Sequence, residues 1–246
     1  MQYVFVGATR GMGRALARRM VARGDTLFLL GRDAEGLDRC ATDLRARAGR
    51  EDAVVGVGAL DLLQPDGFGP AVDAAVAALG SVDGFVVSAG LFAPGPALEA
   101  DLALAERVLR ANFTGTILLC EHARRHLLPS KGQLVVFSSV AGDRGRKPIA
   151  IYGASKAGLS HYLESVDHRF AADGLRVLTV KPGFVRTAMT AGLPEPPFAG
   201  EPDAVAKRVL AAMDAGKPVV YAPAIWALVM LVIRLLPRFV MRRVGF

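Results

Sequence analysis

Tyr152 and Lys156 form a pair of side chains suited to proton transfer. Four positions apart on a helix, their side chains lie on one face. The phenol of a tyrosine has an unperturbed pKa of about 10, and a neighbouring ammonium lowers that pKa by favouring the phenolate. The pair is therefore a candidate general acid and base. Such a pair also occurs on ordinary solvated helix faces, so its meaning depends on the rest of the chain.

Along the chain, short apolar runs typical of strands alternate with longer patterns typical of helices. This alternation predicts an α/β fold, in which a doubly wound parallel sheet has helices on both faces and holds the pair in place. We find no repeat or linker and predict one domain at 1–221, followed by a C-terminal segment at 222–246. The predicted strands, about seven, are 3–6, 26–30, 54–57, 84–88, 133–138, 175–181 and 218–221. The predicted helices are 11–23, 35–48, 67–79, 98–128 in two pieces, 152–172 and 202–215.

A glycine-rich turn joins the first predicted strand to the first predicted helix. Glycines allow a tight turn there, and they let the backbone approach a pyrophosphate at the helix N-terminus. The alternative is an ordinary tight turn. We predict that this turn binds a dinucleotide through Gly7, Thr9, Arg10, Gly11, Met12 and Gly13.

The end of the second predicted strand distinguishes the two nicotinamide cofactors. An acidic residue there would bind a ribose hydroxyl, but the chain has Gly31 followed by Arg32. Arg32 and Arg10 could bind a 2′-phosphate through charge-assisted hydrogen bonds, so we predict NADPH rather than NADH. Asp61, after the third predicted strand, is a candidate for the adenine amino group or, alternatively, a turn cap.

Composition limits the class of protein. The chain has 246 residues, of which 52% are hydrophobic, which predicts a folded domain with a large core. Its net charge is +7, but 216–246 hold five basic and no acidic residues, which argues against nucleic-acid binding over the whole domain. Cys40 and Cys120 have no metal-binding or redox spacing, and the first residues show no signal sequence, so we expect a cytoplasmic protein. His122 and His126 lack a third ligand, and we predict no metal site.

Further motifs follow the fourth, fifth and sixth predicted strands, and Asn112 lies between the fourth and the fifth. Together with the glycine turn, they resemble the short-chain dehydrogenase/reductase family over about residues 1–190. The resemblance implies a single-domain Rossmann fold, carbonyl or alcohol chemistry with a nicotinamide cofactor, and a homodimer or homotetramer. The motifs are Ser88-Ala89-Gly90, Ser138-Ser139, Tyr152-x-x-x-Lys156 and Pro182-Gly183-Phe184-Val185-Arg186-Thr187.

The resemblance also implies roles for individual residues. Tyr152 would exchange the proton, and Lys156 would lower its pKa and bind the nicotinamide ribose. Ser139, with Ser138 as the alternative, would bind the substrate oxygen. Asn112 would hold Lys156 and a water, and Thr187 would bind the carboxamide. The remaining cofactor contacts implied are Ala89, Gly90, Pro182, Gly183 and Val185. Val6 and Ser88 depart from the common family pattern at positions that mainly support the sheet.

The C-terminal segment could place the protein at a membrane surface. Its charge-free run at 222–233 is too short to span a bilayer, which takes about 20 residues. Arg234, Arg238 and Arg242 follow on one helical stripe, as in segments that lie in the interface on anionic headgroups. The alternatives are contact with a second subunit or closure over the substrate cleft. Arg144, Arg146 and Lys147, between Ser139 and Tyr152, would suit a phosphate-bearing substrate or simply be solvated.

A narrower resemblance concerns this segment and the motifs around Ser139 and Tyr152, which look like the decaprenylphosphoryl-2-keto-pentose reductase branch of the family. That branch implies reduction of the keto-sugar of a polyprenyl-phosphate-linked pentose. Two other functions stay open: reduction of another lipid-like ketone, such as a 3-keto sphingoid base or keto-acyl chain, and non-catalytic cofactor binding. The presence of Asn112, Ser139, Tyr152 and Lys156 speaks against the last.

Overall fold

The computed structural model describes residues 1–245, so Phe246, the last residue of the predicted C-terminal segment, lies outside the described residues. Within this range a parallel sheet of seven strands has the order β3-β2-β1-β4-β5-β6-β7. This confirms the predicted fold class. The strands are β1 (Gln2–Val6), β2 (Thr26–Gly31), β3 (Val54–Ala59), β4 (Gly84–Val87), β5 (Gln133–Phe137), β6 (Arg176–Pro182) and β7 (Val219–Ala222).

Helices cover both faces of the sheet. On one face α1, α2 and α8 share a core with the strands, and on the other face α3, α6 and α7 do so. The central strands β4 and β5 are apolar apart from Gln133 because both their faces are buried. The helices of the described residues are α1 (Gly11–Ala22), α2 (Ala34–Ala48), α3 (Phe68–Leu79), α4 (Gly95–Ala100), α5 (Leu102–Leu109), α6 (Thr116–Ser130), α7 (Ala150–Phe170), α8 (Pro202–Asp214), α9 (Ile225–Leu235) and α10 (Arg238–Met241).

The order of the strands reverses direction between β1 and β4. At such a switch point the loops after the two strands diverge, one to each face of the sheet, and leave a crevice at the carboxyl ends of the strands. The glycine turn follows β1, and Ala89 and Gly90 follow β4, so the fold brings both predicted motifs to this crevice.

The predicted helix pair at 98–128 is wrong in its boundaries. The structure has α4 and α5, a π-helical segment at Arg110–Gly115, and then α6. Asp101 separates the first two helices because its backbone is extended and its carboxylate accepts a hydrogen bond from the Leu104 backbone N–H at 3.0 Å. The Thr116 hydroxyl donates to the Ala111 carbonyl at 2.8 Å, five residues back, at the end of the π-helical segment.

The C-terminal segment packs on the rest of the molecule. Trp226, Met230 and Ile233 on α9 are buried in a small cluster with Val140, beside the loop that follows β5. The helix is held above the carboxyl ends of β5 and β6. Within the described residues, no helix is long and apolar enough to cross a membrane.

Candidate active site

The glycine turn after β1 is shaped by close contacts that only glycine allows. Gly7 has a φ of +94°, and a Cβ atom there would lie 2.6 Å from the Ala89 backbone nitrogen. A Cβ atom on Gly13 would lie 2.2 Å from the Gly7 carbonyl oxygen. The Ser88 hydroxyl donates to the carbonyls of Val6 (3.2 Å) and Gly7 (3.0 Å), so this departure from the family pattern supports the turn. The turn is therefore pinned to the end of β4.

The N-terminus of α1 points into this turn. Arg10 is its N-cap residue and no side chain caps it, so its first backbone N–H groups are available to an anion. A Cβ atom on Gly11 would lie 3.3 Å from the methyl group of Thr187. The end of β6 and the loop that follows it, which carry Pro182, Gly183, Val185 and Thr187, thus close over the glycine turn. These residues, with Thr9, Met12, Ala89 and Gly90, lie at or after the carboxyl ends of β1, β4 and β6, where a doubly wound sheet binds a dinucleotide.

At the end of β2 the arginines lie at the surface. Arg32 is exposed, and the Arg10 guanidinium lies 3.8 Å from the carboxylate of Asp33. Asp33 caps α2 by accepting a hydrogen bond from the Gly36 backbone N–H at 2.9 Å. The Asp61 carboxylate accepts from the Leu63 backbone N–H at 3.0 Å, which is the turn-capping alternative. Its second oxygen is left for other contacts.

Ser139 and Tyr152 meet beside the loop after β5. The Ser139 hydroxyl accepts from the Ala141 backbone N–H at 3.0 Å and lies 3.5 Å from the Pro182 carbonyl, which joins it to β6. Ser138, the alternative, instead donates to the Lys156 carbonyl at 3.0 Å and lies 2.7 Å from the Ser160 hydroxyl. These bonds give Ser138 a structural role. Ser139 is the serine that lies close enough to the Tyr152 phenol to lower its pKa.

Lys156 lies one turn along α7 from Tyr152 and is buried. Its ammonium donates to the Phe137 carbonyl at 2.9 Å. Asn112, in the π-helical segment, is fully buried, and its amide bonds both backbone polar groups of Leu91 at 2.7 Å. A Cβ atom on Gly90 would lie 3.0 Å from the Asn112 amide oxygen and 3.7 Å from the Lys156 ammonium. The two side chains therefore border the same small space.

The pKa values differ from the sequence-based expectation that Lys156 lowers the pKa of Tyr152. Desolvation raises the pKa of Tyr152 to about 12, and the hydrogen bond from Ser139 opposes this only in part. Burial lowers the pKa of Lys156 to about 8. Burial disfavours the charged form of each group, so it raises the pKa of the phenol and lowers the pKa of the ammonium. At neutral pH the phenol therefore keeps its proton, which is the form that can protonate a carbonyl oxygen.

Three residues near the site had no assigned role in the sequence. The ring of Phe92 packs edge-on against Tyr152 with centroids 5.0 Å apart. The buried carboxylate of Asp143 bonds the Lys181 ammonium at 2.6 Å and the Tyr221 hydroxyl at 2.8 Å, and so ties the Ser139 loop to β6 and β7. The indole of Trp226 lies on Gly183. No spacing rule identifies them, although Trp226 is the single tryptophan of the chain.

The three basic residues of the loop between Ser139 and Tyr152 lie in different environments. Arg144 donates to the Leu236 carbonyl at 2.9 Å and so fastens the end of α9. Arg146 is half-buried, which lowers the pKa of its guanidinium, and Lys147 is exposed. His126 lies 2.8 Å from Asp73, and His122 packs edge-on against Phe68. Among residues 1–245, no group of three or more potential ligands could hold a metal ion.

Comparison with known proteins identifies relatives along the whole chain. The model of the family described as short chain dehydrogenase matches residues 2–197. An uncharacterized oxidoreductase of Mycobacterium tuberculosis is 35% identical over 243 residues, which cover 98% of this chain and 95% of that protein. Cis-4-hydroxycyclohexanecarboxylate dehydrogenase of Sinomonas cyclohexanicum is 36% identical over 193 residues, 78% of this chain and 76% of that enzyme. The structure of an actinorhodin polyketide ketoreductase variant with NADPH superimposes with a TM-score of 0.79 and 25% identity, covering 90% of this chain and 95% of that one.

Proposed function

This chain belongs to the short-chain dehydrogenase family of NAD(P)-dependent oxidoreductases, and we propose that it uses NADPH to reduce a carbonyl group to an alcohol. The observation that carries the proposal is the cluster of Ser139, Tyr152 and Lys156 beside the crevice of the glycine turn. An oxygen-binding hydroxyl, a protonated phenol and an ammonium are the groups that carbonyl reduction needs from the protein.

Each residue of the cluster has a part in the reaction. The nicotinamide, when bound, supplies the hydride. The Ser139 hydroxyl donates a hydrogen bond to the substrate carbonyl oxygen and holds it beside the phenol. Tyr152 then gives its proton to that oxygen, which carries negative charge as the alcohol forms. The ammonium of Lys156 stabilises the phenolate left behind. The contacts of Asn112 with Leu91 fix the wall of the space next to Lys156.

The choice of NADPH is supported by charge at the end of β2. Arg10 and Arg32 are exposed there, and a 2′-phosphate would compete with Asp33 for the Arg10 guanidinium. The polyketide ketoreductase of similar fold binds NADPH. The glycine turn suits a pyrophosphate because it is tight, with Gly7 and Gly13 packed against Ala89 and the Gly7 carbonyl, and leads directly into the N-terminus of α1.

As the substrate we propose the keto-sugar of a polyprenyl-phosphate-linked pentose. The cations Arg146 and Lys147 lie in the loop between Ser139 and Tyr152, where a phosphate could be bound. The Sinomonas relative acts on a ring alcohol that also bears an anionic group. Such a substrate resides in a membrane, so the proposal includes a cytoplasmic enzyme at the inner face of the cell membrane, in contact through 224–246.

We also propose a homodimer or homotetramer. Leu109, Phe113 and Leu118 are apolar side chains exposed between α5 and α6. Burying them against a second copy would remove apolar surface from water. Light scattering of the purified protein gives the subunit number directly.

The proposed function is tested by removing the phenol oxygen of Tyr152. Tyr152→Phe should lower the rate of ketone-dependent NADPH oxidation by at least about a hundredfold, since the proton donor is lost. Tyr162→Phe is the matched control because Tyr162 lies on the same helix and bonds Glu121 away from the site. Near-normal ketone reduction by Tyr152→Phe would refute the mechanism.

Comparing polyprenyl-phosphoryl keto-sugar with a 3-keto sphingoid base and a keto-acyl chain as substrates tests the substrate class.

A further inference from the structure

The inner face of α9 holds the two loops of the active site. Trp226 packs on Gly183, where a Cβ atom would lie 2.1 Å from the indole nitrogen. The same nitrogen donates to the Phe198 carbonyl at 3.3 Å, which fastens the long connection between β6 and α8. Met230 and Ile233 bury against Val140, next to Ser139. The helix is therefore fixed above the cleft and its orientation is set by these contacts.

The opposite face of α9 is apolar and exposed. The exposed fractions of its side chains reach 59% at Leu228 and 75% at Leu235, although leucine is usually buried. Phe239 on α10 (61%) and Phe198 beside Trp226 (57%) extend the same apolar character. We call this set the outer surface, and its members are Ile225, Leu228, Leu231, Val232, Leu235, Phe239 and Phe198. Exposed apolar surface of this extent is a sign of a partner.

The charges around the outer surface select the chemistry of the partner. Arg234, Arg238, Arg242 and Arg243 are exposed, and the sequence has no acidic residue between 216 and 245. In the described part of the chain, none of these four arginines forms an ion pair with a carboxylate. The partner should therefore offer both an apolar phase and negative charge.

We propose that the outer surface docks on an anionic lipid bilayer, with α9 lying along the interface and its arginines on lipid phosphates. The proposal rests on the proposed function, with its lipid-linked substrate, and deepens its membrane contact by naming the face of α9 and the lipid charge involved. A helix of eleven residues is about 16 Å long, too short for a hydrocarbon core of about 30 Å, so it lies on the bilayer. In a two-fold contact of the outer surface with itself, the arginines of both copies would share one interface, and 216–245 supply no acidic residue to pair with them.

This orientation explains how a lipid-borne ketone reaches Tyr152. The inner face of α9 packs on Gly183 and Val140, and Trp226 joins it to Phe198 of the outer surface. A bilayer against the outer surface is therefore separated from these loops only by α9. The substrate headgroup can enter between the loops while its polyprenyl chain stays in the lipid.

The test is sedimentation of the full-length protein with vesicles. Wild-type protein should bind vesicles of phosphatidylcholine with phosphatidylglycerol, bind vesicles of phosphatidylcholine alone more weakly, and lose binding at high salt because salt screens the arginines. Leu235→Glu should weaken binding about tenfold or more, since it places a charge in the apolar contact. Leu102→Glu is the matched control because Leu102 is exposed to the same 75% but lies on α5.

Absence of wild-type binding to the anionic vesicles, or equal loss in Leu235→Glu and Leu102→Glu, would overturn the docking proposal. So would a Leu235→Glu protein that binds vesicles normally but has fewer subunits by light scattering, because the outer surface would then join two copies. NADPH oxidation with a water-soluble ketone is measured in parallel. Its absence would refute the proposed function without affecting the vesicle result, and Leu235→Glu should retain it.

Discussion

Replacement of Lys156 by Met is expected to stabilise the cofactor-free protein while removing its activity. The Lys156 ammonium is buried and donates a hydrogen bond to the neutral carbonyl of Phe137 at 2.9 Å. Burial lowers its pKa from the ordinary 10.5 to about 8. Keeping this charge at neutral pH therefore costs folding free energy, which the protein carries for the sake of the site.

The magnitude follows from the two pKa values. At about 1.4 kcal/mol per pH unit, the cost at pH 7 is about 3 kcal/mol. Between pH 8 and 10.5 the unfolded chain holds the proton and the folded chain does not, so stability rises with pH and the cost falls to about 1 kcal/mol at pH 10. Loss of the hydrogen bond to Phe137 offsets about 1 kcal/mol. Lys156→Met should thus gain about 2 kcal/mol at pH 7 and about zero at pH 10.

Urea unfolding of both proteins at the two pH values measures these differences, and subtraction of wild type removes the other titrating groups. Lys181→Met is the matched control because Lys181 is paired with the buried carboxylate of Asp143 at 2.6 Å. Its removal leaves that charge unpaired and should destabilise by about 3 kcal/mol or more. If Lys156→Met is less stable than wild type at pH 7, or if their difference in unfolding free energy does not change with pH, the buried ammonium does not carry the stated cost.

Two further predictions concern the cofactor. Arg32→Asp should lower the catalytic efficiency with NADPH by about tenfold or more and leave the efficiency with NADH unchanged. Arg39→Asp, which replaces another exposed arginine, should change neither efficiency. A wild-type preference for NADH that Arg32→Asp leaves unchanged would contradict the assignment of NADPH. Gly13→Ala should abolish NADPH binding measured by fluorescence titration, because its Cβ would lie 2.2 Å from the Gly7 carbonyl. Gly67→Ala, where nothing lies within 4 Å, should bind normally, and equal affinity of the two variants would disprove the close approach.

Helices with internal breaks were harder to predict than strands. The run at 98–128 has a continuous helical pattern, but Asp101 caps a new helix and the π-helical segment inserts extra backbone before Thr116. A Cβ atom on Gly115 would lie 2.0 Å from the Leu62 carbonyl, so this segment is shaped by contact with a distant part of the chain. Patterns within a window of sequence do not contain such contacts.

The pKa values illustrate a second limit. The types and spacing of Tyr152 and Lys156 predict that they share a face of one helix, and they do. The direction of the pKa change in Tyr152 depends on how much water the surrounding loops exclude, including Phe92 from the loop after β4. Desolvation is a property of the assembled site, and for this reason the sequence-based expectation was wrong.

The alternation of strands and helices, the glycine turn and the residue types of the candidate catalytic cluster could be predicted, because they follow from local periodicity and from the chemistry of single side chains. Packing was needed to show that Ser138 bonds the Lys156 carbonyl and lies beside Ser160, whereas Ser139 lies near Tyr152, and that Asp143 binds Lys181 and Tyr221. It also decided which face of α9 is buried under Trp226 and which is exposed. Those outcomes depend on packing between residues far apart in the chain, where burial and long-range contacts set the hydrogen-bond partners and the charge states.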